Sequence, residues 1–188
     1  MRIISGSFKG KKILLPRDKL TRPLKDLTKE SIFNILKHSK LLNVELENSN
    51  ILDLFSGVGS FGLECLSRGA KNVTFLENYE EVLNILKKNI DNLNQQKHTK
   101  VIEKNIFSEN TLKLLNDKFD IVFMDPPYKE KKLFFLLDLI TKLELLNTDG
   151  VIIIHRHKKE EEDFPKDFNL ILEKNYGISK ILFGNILV

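Results

Sequence analysis

Asp125-Pro126-Pro127-Tyr128, directly after the apolar run Phe119-Asp120-Ile121-Val122-Phe123-Met124, gathers three groups that could act on one ligand. Two consecutive prolines lack N–H donors and fix φ, so a central strand must stop here. In open α/β sheets, ligands bind at the carboxyl ends of the strands. Past this end the chain offers a carboxylate, a proline-locked peptide carbonyl and an aromatic ring. Two acceptors beside a flat ring suit a planar base bearing an amino group. The plainer reading is a Pro-Pro turn whose Asp caps the next helix. The rest of the chain decides between them.

Ile51-Leu52-Asp53-Leu54-Phe55 reads as a buried strand, and Ser56-Gly57-Val58-Gly59-Ser60-Phe61-Gly62 leads from it into a helix. Gly57, Gly59 and Gly62 satisfy G-x-G-x-x-G in the strand-to-helix context that gives that pattern meaning. Glycines let the backbone turn tightly against a ligand, and the helix start presents unpaired amides. Glu77 closes the next strand, Asn72-Val73-Thr74-Phe75-Leu76, where a carboxylate can take the hydroxyls of a ribose. These features call for a nucleoside-bearing cofactor, either NAD or S-adenosylmethionine. Two others favour the methyl donor. Asp53 lies inside the first strand, two residues before its end, as in methyltransferase glycine loops, and Asp-Pro-Pro-Tyr has no role in hydride transfer. Asn105 follows the third strand, Lys100-Val101-Ile102-Glu103-Lys104, where such enzymes usually carry an Asp that accepts from the adenine amino group. Its amide carbonyl can make the same bond without charge. Phe107 could pack on the adenine. Ordinary loop structure explains Asn105 and Phe107 nearly as well.

The elements that must position these residues alternate. Strands are expected near 51–55, 72–77, 100–104, 119–124 and 149–155, and helices near 60–68, 79–93, 108–116 and 131–146. Such alternation makes a parallel sheet covered on both faces. His157 to Asp163 then reads as a charged, solvated loop, and two extended segments near 168–176 and 179–187 flank a turn at Tyr176-Gly177. Upstream, Ile3-Ile4 and Lys12-Ile13-Leu14-Leu15 flank a Gly/Ser/Lys turn as a short basic hairpin. Thr21-Arg22-Pro23 precedes a helix over about 24–38 with Leu24, Leu27, Ile32, Ile35 and Leu36 on one face. Glu45, Glu47, Asn48 and Asn50 interrupt the hydrophobic pattern. They divide the chain into a basic extension, 1–45, and a catalytic domain, 46–188.

With 188 residues, 41% of them hydrophobic, the chain can bury one full core. No apolar run approaches the ~20 residues that span a bilayer. Met1-Arg2-Ile3-Ile4-Ser5-Gly6 is not expected to be a secretory signal, as no apolar stretch follows it, and the single cysteine, Cys65, suits a reducing cytosol and the packing of a helix. Residues 1–40 carry eleven Lys/Arg against three acids, a net +8, whereas the whole chain is only +4. A basic module on a slightly acidic body fits a polyanion-docking surface, although a solvated lysine-rich face is the alternative.

Together these strings resemble the bacterial RsmD-type 16S rRNA (guanine(966)-N(2))-methyltransferases over essentially the whole chain. The resemblance is carried by Arg2-Ile3-Ile4-Ser5-Gly6, Lys9-Gly10-Lys11-Lys12, Thr21-Arg22-Pro23, Asp26, and Lys29-Glu30-Ser31-Ile32-Phe33-Asn34-Ile35-Leu36. It continues through Leu52 to Gly59, Gly62-Leu63-Glu64-Cys65-Leu66-Ser67-Arg68-Gly69-Ala70, Asp125-Pro126-Pro127-Tyr128 and Tyr176-Gly177-Ile178-Ser179-Lys180. It implies a class I S-adenosylmethionine-dependent methyltransferase: a Rossmann-like, seven-stranded, mostly parallel sheet ending in an antiparallel hairpin, with a small N-terminal hairpin and helix. It further implies a monomeric cytoplasmic enzyme acting on 16S rRNA within a small ribosomal subunit or assembly intermediate. Asp125, Pro126 and Tyr128 are the expected catalytic residues, and Asp53, Phe55, Gly57, Gly59, Glu77, Asn105 and Phe107 the expected cofactor site. Lys9, Lys11, Lys12 and Arg22 are expected on RNA phosphates, with Arg22 alternatively facing the cofactor.

Two positions depart from the family pattern. Asn105 stands where members commonly have Asp, and His155 where they commonly have Glu. His155 and His157 alternate on a strand and share a face, but with no third ligand at suitable spacing no metal site is expected. Rival readings are a DNA adenine-N6 methyltransferase, for which the chain leaves little room for target recognition, and a protein-glutamine methyltransferase, which normally carries Asn-Pro-Pro-Tyr. A non-catalytic RNA-binding factor would not need the glycine loop, Glu77 and Asp125 together.

Overall fold

The computed structural model describes residues 1–16 and 24–187. The chain runs α1 (Asp26–His38), β1 (Asn50–Leu54), α2 (Ser60–Ser67), β2 (Asn72–Leu76), α3 (Glu80–Asn92), β3 (Thr99–Ile102), α4 (Glu109–Leu112), β4 (Phe119–Met124), α5 (Leu133–Lys142), β5 (Leu146–His157), β6 (Phe168–Tyr176) and β7 (Ser179–Ile186). The strands form one seven-stranded sheet in the order β3-β2-β1-β4-β5-β7-β6. β1 to β5 pair in parallel, and β7 inserts antiparallel between β5 and β6. The expected mostly parallel sheet with a terminal antiparallel hairpin is the one observed. No helix among the described residues is long and apolar enough to cross a membrane.

Both sheet faces are covered, so the central strands read as near-continuous apolar runs, interrupted by Asp53 in β1, Thr74 in β2 and Asp120 in β4, rather than as alternating ones. Ile51, Val73, Ile121, Phe123 and Ile153 face a core built with α1, α2 and α3, whereas Leu52, Leu54, Val122, Met124 and Ile154 face one built with α4 and α5. On the first side an aromatic stack crosses three elements. Phe33 of α1 stacks on Phe61 of α2 (5.3 Å between centroids), and Phe61 on Phe123 of β4 (3.9 Å).

The N-terminal hairpin is a single antiparallel bridge between Arg2 and Lys12, flanked by the Ile3 N–H to Lys11 O and Ile13 N–H to Met1 O bonds. It is fastened to α2 by polar groups. The Ile4 and Ser5 amides donate to the buried Glu64 carboxylate at 2.8 and 3.0 Å, and the Ser7 amide donates to Ser67 O at 2.7 Å. Gly6 has φ +84°, and a Cβ there would sit 1.7 Å from Ser67 O, so only glycine closes this contact. Lys29 of α1 and Glu64 form a fully buried pair at 3.5 Å. Burial lowers the Lys29 pKa, with Glu64 and Asp26 opposing the shift. On the hairpin's return arm the Leu14 amide donates to Asn89 Oδ1, and Asn89 Nδ2 donates to Val58 O of the glycine loop. Ile3 and Ile13 belong to the same core as Ile51, Phe61 and Phe123.

Three elements differ most in length from the sequence expectation. α5 spans Leu133–Lys142 rather than about 131–146, and β5 already begins at Leu146. α4 is only four residues long, because tighter turns to Leu114 and Leu115 follow it and bury both Leu112 and Leu115. β5 is longer than expected, since β7 pairs with it as far as His157↔Ser179 while β4 stops at Met124↔Ile154. The prolines end β4, and β5 continues past it.

Candidate active site

Beyond the carboxyl ends of β1, β2 and β4 lies a cavity of about 740 Å³. Its wall includes Phe55, Gly57, Glu77, Phe107, Asp125, Pro126 and Tyr128 among the residues expected at the site, along with Pro127 and His155. The two halves of the motif pattern, glycine loop and Asp-Pro-Pro-Tyr, therefore open into one space.

The glycine loop is held from both sides. Phe55 has φ +60° and Gly57 φ +53°, so the strand turns sharply at its end. A Cβ on Gly57 would meet nothing within 4 Å, which leaves its backbone open for close approach. Its N–H donates to Glu77 Oε2 at 2.8 Å. Glu77 Oε1 accepts the amides of Asn78 and Tyr79, the two residues that lead into α3, at 2.8 and 2.9 Å. Gly59 at φ +82° packs under the loop, where a Cβ would come 2.5 Å from Leu86. Asp53 lies behind the loop rather than on the cavity wall. It is buried, Oδ2 accepts the Gly62 N–H at 3.0 Å, and Oδ1 has no partner among the described residues. Burial pushes its pKa up to about 8, the Gly62 bond opposes this, and the negative fields of Asp125 and Glu77 add to it. Glu77 and Asp125 thus place two carboxylates on the cavity wall, which suits a ligand carrying positive charge.

Phe55 and Phe107 face each other at 5.7 Å across the side of the cavity, and Lys132 Nζ stands 5.3 Å from the centre of the Phe107 ring. Asn105 is exposed on the loop that carries Phe107, outside the cavity wall, and its Oδ1 accepts the Phe107 N–H at 2.9 Å. Lys9, Lys11 and Lys12 are exposed on the N-terminal hairpin, whose turn sits beside the C-terminal end of α2, away from the cavity. Arg22 lies outside the described residues.

On the Asp-Pro-Pro-Tyr side, β5 runs past the end of β4 and brings His155, Arg156 and His157 alongside Asp125 to Tyr128. His155 Nδ1 is 2.7 Å from Asp125 Oδ1. The Tyr128 ring meets His155 and His157 edge-on, at 6.4 and 5.3 Å between centroids. Arg156 projects to the other face of the strand and is buried. Its guanidinium donates to Pro127 O at 3.0 Å and Glu130 O at 2.9 Å, and its Nε donates to Glu162. One buried cation therefore clamps the loop that follows the strand stop. The 157–163 stretch, expected to be a solvated loop, is partly tied down: Glu162 is buried against Arg156, and Glu160 O accepts from Lys180 Nζ. Alternation along the chain puts His155 and His157 on one face but does not reveal their partners. Arg156 gives no signal in the sequence, because a charged residue at a strand end reads as the start of a solvated loop.

This strand order, with the ligand cavity at the reversal point between β1 and β4, is that of the class I S-adenosylmethionine-dependent methyltransferases. The model of the family described as Conserved hypothetical protein 95 matches residues 1–185, and the chain belongs to this family of RsmD-type methyltransferases. It is 32% identical over 183 residues to ribosomal RNA small subunit methyltransferase D of Haemophilus influenzae, covering 95% of this chain and 90% of that one. The Escherichia coli protein of the same name is 30% identical over 181 residues, with 94% and 85% covered. Among solved structures, yhhF of Escherichia coli superposes with a TM-score of 0.81 at 27% identity, covering 100% of this chain and 98% of that chain.

Proposed function

We propose that this chain methylates the exocyclic N2 of one guanine, of the guanine-966 type, in 16S rRNA, using S-adenosylmethionine. The proposed setting is a small ribosomal subunit or assembly intermediate in the cytoplasm, and the proposed enzyme is a monomer. The observation that carries the reading is the shared cavity: Asp125, Pro126 and Tyr128 line the same space as Gly57 and Glu77.

The residues fit the donor. Gly57 would approach it with open backbone, and Phe55 and Phe107 would flank its adenine. Glu77 Oε1 already accepts two amides and Oε2 one, so the ribose would be met through the remaining acceptor site on Oε2. When bound, S-adenosylmethionine supplies an electrophilic methyl group on a positively charged sulfur. The Glu77 and Asp125 carboxylates on the cavity wall favour that charge.

Guanine N2 is a poor nucleophile because its lone pair is delocalised into the ring. In this site the Asp125 carboxylate and the Pro126 carbonyl accept its two N–H bonds, which pulls the nitrogen toward tetrahedral and frees the lone pair. Tyr128 stacks on the base and fixes its plane, so orientation supplies much of the acceleration. Asp125 also takes the proton that the amine releases. The guanine must be unstacked to enter, since its N2 is out of reach within a helix. Lys9, Lys11, Lys12 and Arg22 would hold phosphates without reading sequence.

Asp125→Ala tests the assignment. Methylation of 16S rRNA from cells lacking this protein should fall by about 1,000-fold or more, while calorimetric affinity for the donor changes little. Retained turnover would remove Asp125 from the acceptor role, and mass mapping of the product identifies the modified base.

A further inference from the structure

Asp125 has a partner that the reaction outlined above leaves unused. His155 is buried at 7% exposure, lines the cavity, and directs Nδ1 at Asp125 Oδ1 over 2.7 Å. An ionised carboxylate only accepts hydrogen bonds, so the hydrogen in this contact sits on Nδ1. The other ring nitrogen, Nε2, is buried with no partner among the described residues. Nδ1–H is thus the ring group committed to Asp125.

We infer that His155 is a positioning residue for the acceptor carboxylate: it pins Oδ1 of Asp125 and leaves Oδ2 for the substrate amine. The inference rests on the reading of Asp125 as the amine's acceptor. Its force comes from the charge of the partner. A lysine or arginine at this place would fix the carboxylate but neutralise it, just where positive charge develops on the attacking nitrogen. A neutral imidazole N–H can fix the same oxygen and leave the negative charge in place. The buried cation on the neighbouring residue, Arg156, points to the opposite face of β5 and is taken up by Pro127 O, Glu130 O and Glu162.

The backbone makes the contact reproducible. The β4–β5 ladder ends at Met124↔Ile154, so Asp125 and His155 occupy the place where the next pair would have formed had Pro126 not ended the strand. On its other side His155 is held by the ladder to Ile181 of β7. Tyr128 stands edge-on to the same imidazole, so the proposed stacking ring and the proposed acceptor share one support.

The test compares wild type, His155→Leu and His155→Asn in the full chain. Methyl transfer to small-subunit particles from cells lacking this protein is measured at saturating donor, with calorimetric affinity for S-adenosylhomocysteine and melting temperature alongside. Leucine fills the space without a donor and should lower kcat by on the order of 100-fold, with cofactor affinity unchanged. The asparagine amide stands where Nδ1 does and should recover kcat to within about tenfold of wild type. A leucine variant that turns over like wild type overturns the inference. So does an asparagine variant as slow as leucine with intact cofactor binding, or a leucine variant that also loses the cofactor, since that assigns His155 to packing alone. The methylated base is mapped in parallel. A product other than N2-methylguanine would overturn the substrate reading while leaving the His155 comparison valid on the base observed.

Discussion

Asp53 holds a carboxyl group buried behind the glycine loop, with Gly62 N–H on one oxygen and no partner among the described residues on the other. Its folded pKa, about 8, lies above its ordinary value of 3.8. Between those limits the folded chain binds a proton that the unfolded chain does not, so this group's contribution to stability falls as pH rises through the window. The ligand-free protein should therefore lose melting temperature from pH 5 to pH 8 more steeply than Asp53→Asn, by an amount equivalent to a few kcal/mol. Parallel profiles would show that Asp53 is ionised throughout. Part of this site is legible residue by residue. Asp125-Pro126-Pro127-Tyr128 announces itself because proline chemistry forces a strand to stop, and Gly57 because a turn demands it. The Asp125–His155 bond is not legible, since its partners stand 30 residues apart and only the register of two parallel strands joins them.

At the scale of elements, the unequal lengths of β4 and β5 shape the Asp125 side of the cavity. The end of β4 is well marked in the sequence, because two prolines forbid the ladder, but the end of β5 falls two residues later than expected. Nothing local to His155-Arg156-His157 reveals that a strand arriving later in the chain, β7, will pair with them. The overshoot carries Arg156 to the loop between Pro127 and Glu130, and its partner Glu162 is buried with it. Breaking a buried pair leaves the remaining charge uncompensated. Arg156→Met should therefore cost about 3–5 kcal/mol in urea unfolding, and Arg156→Met combined with Glu162→Gln less than the two single changes together. Strict additivity would mean that the two side chains act independently.

Across the whole molecule, the charge asymmetry is plain from composition, but the attachment of its basic part is not. Glu64, Ser67 and Asn89 sit inside ordinary helical patterns, and only packing shows that they accept from or donate to the N-terminal backbone. If the exposed lysines meet RNA, Lys11→Glu with Lys12→Glu should weaken binding and make the dependence of log K on log salt shallower, by about 0.7–0.9 for each phosphate no longer neutralised. An unchanged slope in filter-binding titrations would return that charge to simple solvation. Because Ile3 and Ile13 share a core with Phe61 and Phe123, the hairpin and the cavity cannot swing apart as hinged modules do. If those lysines grip RNA, a docking patch so joined to its pocket would work as a caliper. It would admit the RNAs whose flipped base lies one fixed span from the gripped backbone and pass over the same base at any other reach.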